Sequence, residues 1–417
     1  MARSALVPAV RGATAAALVA ALVAGAPQAG AQPKGRAAAP APSGAATAPT
    51  AATQGLALQG APQIAAKSWL LVDVTTGQLL AASEPDMRVE PASLTKLMTA
   101  YLAFNAIKER KLALDQRPPV SPAAWKAIGS RMFVDPAKPA TVEELLRGLI
   151  VQSGNDAAII LAEAMGGSEA AFATQMNREA QRLGMRNSSF TNASGLPDAQ
   201  HYSTARDLAI LASRLIDEHP DFYKLYSERE FTYNSIKQPN RNRLLFIDPT
   251  VDGVKTGHTD AAGYCLIASS RREQPGQGFS RRLLTVVLGT ASESARAIES
   301  QKLLNYGFAN FDVVRLYQKD QPAASYPVWK GAASEVKAGF GGNVLVTVAR
   351  GSGERVKGEI ERMQPLVAPI EKGQRIGTLR VRLDDKVIAE QPLLALEPIA
   401  QAGWFGRAWD TMRLWFK

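Results

Sequence analysis

From Leu94 through Leu97, Met98, Tyr101 and Leu102, apolar residues recur every three or four positions. Between Val251 and Gly289 they come instead as short runs broken by Gly, Pro or charged turns. A chain with helical segments ahead of strands buries both when the strands form a sheet and the helices pack on its faces. The 46% hydrophobic fraction is enough for such a core and excludes wholesale disorder. A single cysteine, Cys265, forbids an intrachain disulfide and a thiolate zinc cluster. His201, His219 and His258 are far apart and show no metal-ligand spacing, so neither a metal nor a cofactor is expected.

The individual segments support that layering. Ser68 to Val74 and Gln78 to Ala81 read as two strands around a turn at Gly77. A helix follows Pro91, and a second opens at Thr141 with Glu144 completing a capping box. A third is predicted from Ser168 to Gly184, and a fourth from Thr204 to Ile216. Val251 to Lys255, Tyr264 to Ser270 and Leu283 to Gly289 are the later strands. Val344 to Val348, Ile376 to Leu383 and Val387 to Glu390 are β-rich, and no helix of useful length is expected between Val328 and Pro398. The expected domains are therefore 63–312, an α/β domain, and 316–400, a small all-β domain.

Both termini carry segments of another kind. Arg3 and Arg11 flank the start of an apolar run from Ala13 to Ala24, and Ala29 and Ala31 fit a cleavage site, so 1–31 reads as an export signal. No cysteine follows the run, which argues against a lipoprotein. In residues 32–62, 24 of 31 are Ala, Pro, Gly, Ser or Thr without one aromatic, the composition of a disordered tether. The formal charge is +10, of which export would remove Arg3 and Arg11. No basic run interleaved with aromatics occurs, so nucleic acid is not an expected partner; an anionic membrane or wall polymer is. At 403–417, Trp404, Phe405, Trp409, Met412, Trp415 and Phe416 share one helical face opposite Arg407, Asp410, Arg413 and Lys417. Too short to span a bilayer, Trp404–Lys417 suits a helix lying in a membrane surface.

Three short motifs carry the chemistry. Ser93-Leu94-Thr95-Lys96 stands at the expected helix start, Ser153-Gly154-Asn155 follows, and Lys255-Thr256-Gly257 lies on an expected strand. Singly each is cheap: S-x-x-K recurs at Ser334–Lys337, a lone Ser93 would be a helix N-cap, and the others could be a turn and a strand end. The ordered triplet is far more specific. At i and i+3 the Ser93 hydroxyl and Lys96 amine share a helix face. Lysine ordinarily titrates near 10.4, but burial and a neighbouring cation such as Lys255 would let it act as a base. Ser153 could relay a proton, and Asn155 could accept from Lys96 while donating to a substrate amide. A strand through Lys255, Thr256 and Gly257 lets an extended peptide pair along its edge, with Gly257 leaving room. The Ser93 and His258 backbone N–H groups would form an oxyanion hole, worth roughly 3–4 kcal/mol per donor.

With their surroundings, Val151–Ala157 and Val251–Asp260, the motifs resemble those of the serine-type D-alanyl-D-alanine carboxypeptidases, the low-molecular-mass penicillin-binding proteins. The resemblance covers nearly the whole chain after the tether. It implies a penicillin-binding transpeptidase/β-lactamase-like domain, an antiparallel sheet with helices on its faces, followed by the β domain. It further implies removal of the terminal D-Ala from peptidoglycan pentapeptide stems through a Ser93 acyl-enzyme, with β-lactam antibiotics as covalent inhibitors. Lys96 would be the base, Ser153 and Asn155 the second motif, and Lys255, Thr256 and Arg296 the carboxylate binders, with Gly257 and His258 beside them. Arg296 matches the family pattern only in part, and a solvated helix arginine is its other reading. Cys265 stands where the family often has asparagine and reads as a small buried side chain. The location implied is the periplasmic face of the inner membrane, with the C-terminal tail as a peripheral anchor. A β-lactamase, a murein endopeptidase and a non-enzymatic wall binder are the competing readings. The first lacks an E-x-x-L-N between Ser153 and Lys255, and the β domain and tail argue against the second.

Overall fold

The computed structural model describes residues 61–403. The expected export signal, the tail Trp404–Lys417 and all but the last two residues of the expected tether lie outside the described residues. Strands β1 (Ser68–Asp73) and β2 (Gln78–Ser83) pair antiparallel about Gly77, whose φ of +73° makes the turn. A 3-10 turn, Ala92–Thr95, then leads into α1 (Lys96–Lys108). The run Lys96–Tyr101 is buried without a break, so α1 is a central helix rather than a surface one. Next come α2 (Pro122–Trp125) and α3 (Val142–Arg147), which Thr141 and Glu144 cap reciprocally as expected. A π-helical turn, Gly148–Gln152, ends at Ser153 in a left-handed conformation, and α4 (Asn155–Gly166) starts two residues on. Helices α5 (Glu169–Leu183) and α6 (Ala205–Glu218) carry the foreseen N-caps Ser168 and Thr204. The expectations did not include α4.

After α7 (Pro220–Tyr223), the hairpin β3 (Glu230–Tyr233) and β4 (Ile236–Pro239), and α8 (Leu244–Ile247), the chain makes β5 (Val251–Thr259), β6 (Gly263–Gln274) and β7 (Phe279–Thr290). The sheet order is β2-β1-β7-β6-β5, antiparallel throughout, which leaves β5 at an edge. Strand alternation sends Leu70, Val72, Cys265 and Ile267 to the helical layer around α1. The opposite face, with Trp69, Leu71, Leu266 and Val287, is covered by α8 and by α9 (Glu293–Asn310). Cys265 is fully buried, and burial raises its thiol to about 11, which suits packing rather than chemistry.

The remaining strands are β8 (Phe311–Tyr317), β9 (Pro322–Pro327), β10 (Glu335–Gly339), β11 (Val344–Ala349), β12 (Val356–Arg362), β13 (Arg375–Leu383) and β14 (Lys386–Ala395). They form a sheet β12-β13-β14-β10-β9 and a pair β11-β8 around Val336, Val346, Leu379 and Leu393. The longest helical piece there is the three-residue turn Gly353–Arg355. This layer is tied to the first sheet by polar bonds. The Gln78 amide donates to the Thr347 carbonyl (3.0 Å) and accepts from its N–H (2.6 Å), while the Thr347 hydroxyl donates to Asp73 Oδ2 (2.8 Å). The same carboxylate oxygen takes the Arg281 Nε at 2.7 Å, with both partners buried. Removing one member of a buried pair strands the other's charge. Asp73→Ala is therefore expected to cost about 3–5 kcal/mol in urea unfolding; a loss under about 1 kcal/mol would show the pair is not what holds this junction.

Candidate active site

The 3-10 turn carrying Ser93 packs over β5, and Gly257 makes this possible. A Cβ there would lie 3.1 Å from the Pro91 carbonyl, 3.2 Å from Leu94 Cγ and 3.3 Å from Ala92 Cβ. Space for substrate is the sequence-based reason for this glycine; its packing against the turn is a second reason, and it also lines the open cleft. Ser93 is not a helix N-cap, since its hydroxyl accepts from Lys96 Nζ at 3.0 Å and Thr95 precedes α1. Lys96 also donates to the Ser194 carbonyl at 2.6 Å. It does not bond Asn155 as anticipated: the Asn155 Nδ2 donates to the Ile128 carbonyl at 2.6 Å.

Ser93, Ser153, Asn155, Thr256, Gly257, His258 and Arg296 line one cleft of about 510 Å³, with Lys96 and Lys255 buried behind its wall. All three motifs thus converge as expected. Burial, reinforced by Arg241, pulls the Lys96 ammonium down to about 7 against the opposing pull of Asp156. Arg241, which the sequence did not single out, is a neighbouring cation acting on it, and Lys255 and Lys96 repel each other as well. Lys255 is itself driven well below the ordinary lysine range, by burial first and then by Lys96, Arg241 and Arg296. The Ser153 hydroxyl is buried and has no hydrogen-bond partner among the described residues. Such an orphan costs roughly 1–3 kcal/mol and calls for an explanation in function.

Arg296 is not a solvated arginine. It is 5% exposed, forms an ion pair with Glu293 at 2.9 Å, and reaches the carbonyls of Gly257 (3.4 Å) and Arg241 (3.5 Å). Its guanidinium also lies 5.7 Å from the centre of the Tyr264 ring, against which the His258 ring packs tilted by 35° at 4.1 Å.

Several supporting residues carried no motif. The Asp156 carboxylate accepts from the backbone N–H groups of Met132, Phe133, Val134 and Ala157, which secures the loop that meets Asn155 at Ile128 and Ser130. Asn192 Oδ1 accepts from the N–H groups of Ser194, Gly195 and Leu196, holding the carbonyl that receives the Lys96 proton donor. His201 Nδ1 accepts from the Thr191 N–H at 3.1 Å, so its Nε2 carries the proton and donates to the Thr95 hydroxyl at 2.7 Å. Burial lowers this imidazole to about 4, keeping it neutral. Arg241, Ser130 and Tyr264 also line the cleft.

A serine, a low-titrating lysine hydrogen-bonded to it, an orphan hydroxyl and a cationic end are the parts a serine acyl-transfer hydrolase needs. Comparison with known proteins agrees. Residues 56–292 match the D-alanyl-D-alanine carboxypeptidase family, and residues 311–401 match the C-terminal domain of penicillin-binding protein 5. D-alanyl-D-alanine carboxypeptidase DacC of Escherichia coli is 41% identical over 365 residues, covering 85% of this chain and 90% of that protein. DacA of Haemophilus influenzae is 40% identical, over 85% of this chain and 91% of its own length. The crystal structure of H. influenzae penicillin-binding protein 5 superposes with a TM-score of 0.76 at 39% identity, over 82% of this chain and 99% of that one. Penicillin-binding protein D2 of Listeria monocytogenes, solved in an ampicillin-bound form, is 31% identical with a TM-score of 0.53, over 59% of this chain and 100% of that one. The chain belongs to the D-alanyl-D-alanine carboxypeptidase family. Its activity is that of a serine-type D-Ala-D-Ala carboxypeptidase, a hydrolase with a penicillin-binding fold followed by an all-β domain.

Proposed function

We propose that Ser93 is the nucleophile for removal of the terminal D-Ala from peptidoglycan pentapeptide stems, and that Lys96 is its base. The observation that carries this is the 3.0 Å bond between Ser93 Oγ and an amine that burial holds near 7. Neutral Lys96 takes the serine proton as Oγ attacks the carbonyl of the penultimate D-Ala. Ser153, with its free hydroxyl, passes a proton to the departing D-Ala nitrogen. Lys255, Thr256 and Arg296 hold the terminal carboxylate, and its negative charge favours protonated Lys255 in the complex. Arg241, which faces the same cleft, adds to that field. Asn155 and the free edge of β5 align the peptide, with Gly257 seating the Ser93 turn. The N–H groups of Ser93 and His258 receive the oxyanion. Water then releases the acyl group. β-Lactams acylate the same serine.

The sign of the pH dependence follows from Lys96. A base must be unprotonated, so kcat/KM for D-Ala release falls as pH drops through about 7, tenfold per unit below it. A profile flat from about pH 5 to 8 would remove Lys96 as the base.

The same reading covers the flanks: 1–31 as export signal, 32–62 as tether, 63–312 and 316–400 as the two domains, and 403–417 as a peripheral anchor on the periplasmic face of the inner membrane. The aromatic and basic faces of Trp404–Lys417 support the last of these. Deleting 404–417 is expected to move the protein from the membrane pellet to the soluble fraction with activity intact, and a truncated protein still in the pellet would refute the anchor.

A further inference from the structure

Beside the carboxylate end of the cleft lies a second space. Arg241 and Glu293 line both the catalytic cleft and a second pocket of about 370 Å³. Beyond them that pocket is walled by Gln152, Lys237, Asn240 and Arg243. The wall the two spaces share stands at the first turn of α9, where Arg296 pairs with Glu293 and reaches the Arg241 carbonyl, while Arg243 Nη1 donates to Ser294 Oγ at 3.0 Å. Three cationic side chains face the second pocket against one carboxylate, Glu293, which Arg296 already engages. Lys237 is also paired, with Glu230 at 2.8 Å, leaving Arg243 and Arg241 as its main positive character.

The substrate has little to put there. On the leaving side of the scissile bond a stem peptide has one residue, whose carboxylate is the chain end and is taken by Arg296 and its neighbours in the reading above. The methyl group of D-Ala leaves a pocket of this size empty. What can enter it is a longer side chain on the terminal residue, and the lining selects for negative charge.

We propose that this second pocket is a leaving-residue subsite that lets the enzyme release terminal D-amino acids with acidic side chains, such as D-glutamate, in addition to D-alanine. The inference rests on the carboxypeptidase reading of Ser93 and Arg296. Its chemistry is unchanged: the amide C–N bond breaks as the acyl group passes to Ser93 Oγ, the departing amine gains a proton, and water then takes the acyl group.

The test compares stem pentapeptides ending in D-Ala, D-Glu and D-Gln, the last matching D-Glu in size without its charge. The full-length enzyme is expected to release D-Glu with kcat/KM about tenfold above D-Gln, the gain of a charge-assisted hydrogen bond. In Lys237→Gln/Arg243→Gln, which touches no residue assigned to catalysis and leaves Arg241 in place, that ratio falls by about threefold or more while D-Ala release stays at the wild-type rate. Wild-type release of D-Gln at or above the D-Glu rate overturns the proposal, as does a ratio that survives the double substitution. If wild-type enzyme releases no D-Ala, it is the carboxypeptidase reading that fails, and this inference with it.

Discussion

Replacing Lys96 by methionine is expected to lower kcat/KM for D-Ala release by about 10³–10⁴-fold and leave the protein folded. Methionine is close to lysine in length and packs in an apolar site, but it has no lone pair able to take the Ser93 proton. Stability should change little, because two terms oppose each other. The variant loses the bonds to Ser93 Oγ and the Ser194 carbonyl, at about 1 kcal/mol each. It also removes an amine whose charge is disfavoured by the burial that pulls it down to about 7. Unfolding within about 1–2 kcal/mol of wild type, together with the lost rate, would separate the base from a structural role. More than a hundredth of the wild-type rate in this variant would contradict the assignment.

Gly195→Ala should have the other large effect, through the backbone. Gly195 sits at φ +84°, and a Cβ there would lie 1.8 Å from the Ala92 carbonyl oxygen and 2.8 Å from Thr95 Oγ1. The obstacle is the turn that carries Ser93, so relief of the clash moves the nucleophile away from Lys96. A displacement near 1 Å is enough for about a hundredfold loss of rate, and the strain adds roughly 2–3 kcal/mol of destabilisation. Gly184→Ala is the control. At φ +87° it has the same backbone strain, but open space surrounds its Cβ position. It should cost only about 1 kcal/mol with activity intact. Equal activity in the two variants would show that contact with the Ser93 turn is not what Gly195 provides.

How much of this was legible depends on whether a contact is local in sequence. Ser93 and Lys96 are three residues apart, and the caps at Thr141, Ser168 and Thr204 each bind within three residues, so pattern alone located them. The short apolar runs of β5, β6 and β7 likewise announced a buried sheet. Helix α4 was passed over because it opens inside the second motif, at a glycine with no capping side chain. The partners that hold Lys96 were illegible for a different reason. Ser194 is 98 positions away, and Asn192 and Gly195 beside it have the composition of any polar turn. Arg241 too reads as one more surface cation until the fold puts it at the cleft. Gly257 was found without its packing role, since nothing local says that the Ser93 turn packs against that strand.

The most direct measurement is free D-alanine released from a D-Ala-D-Ala pentapeptide by the wild-type enzyme and by Ser93→Ala, with a fluorescent penicillin used to label both. Release and labelling by wild type, and neither by the variant, are the predicted result. D-Ala released by Ser93→Ala at the wild-type rate would contradict a mechanism centred on Ser93.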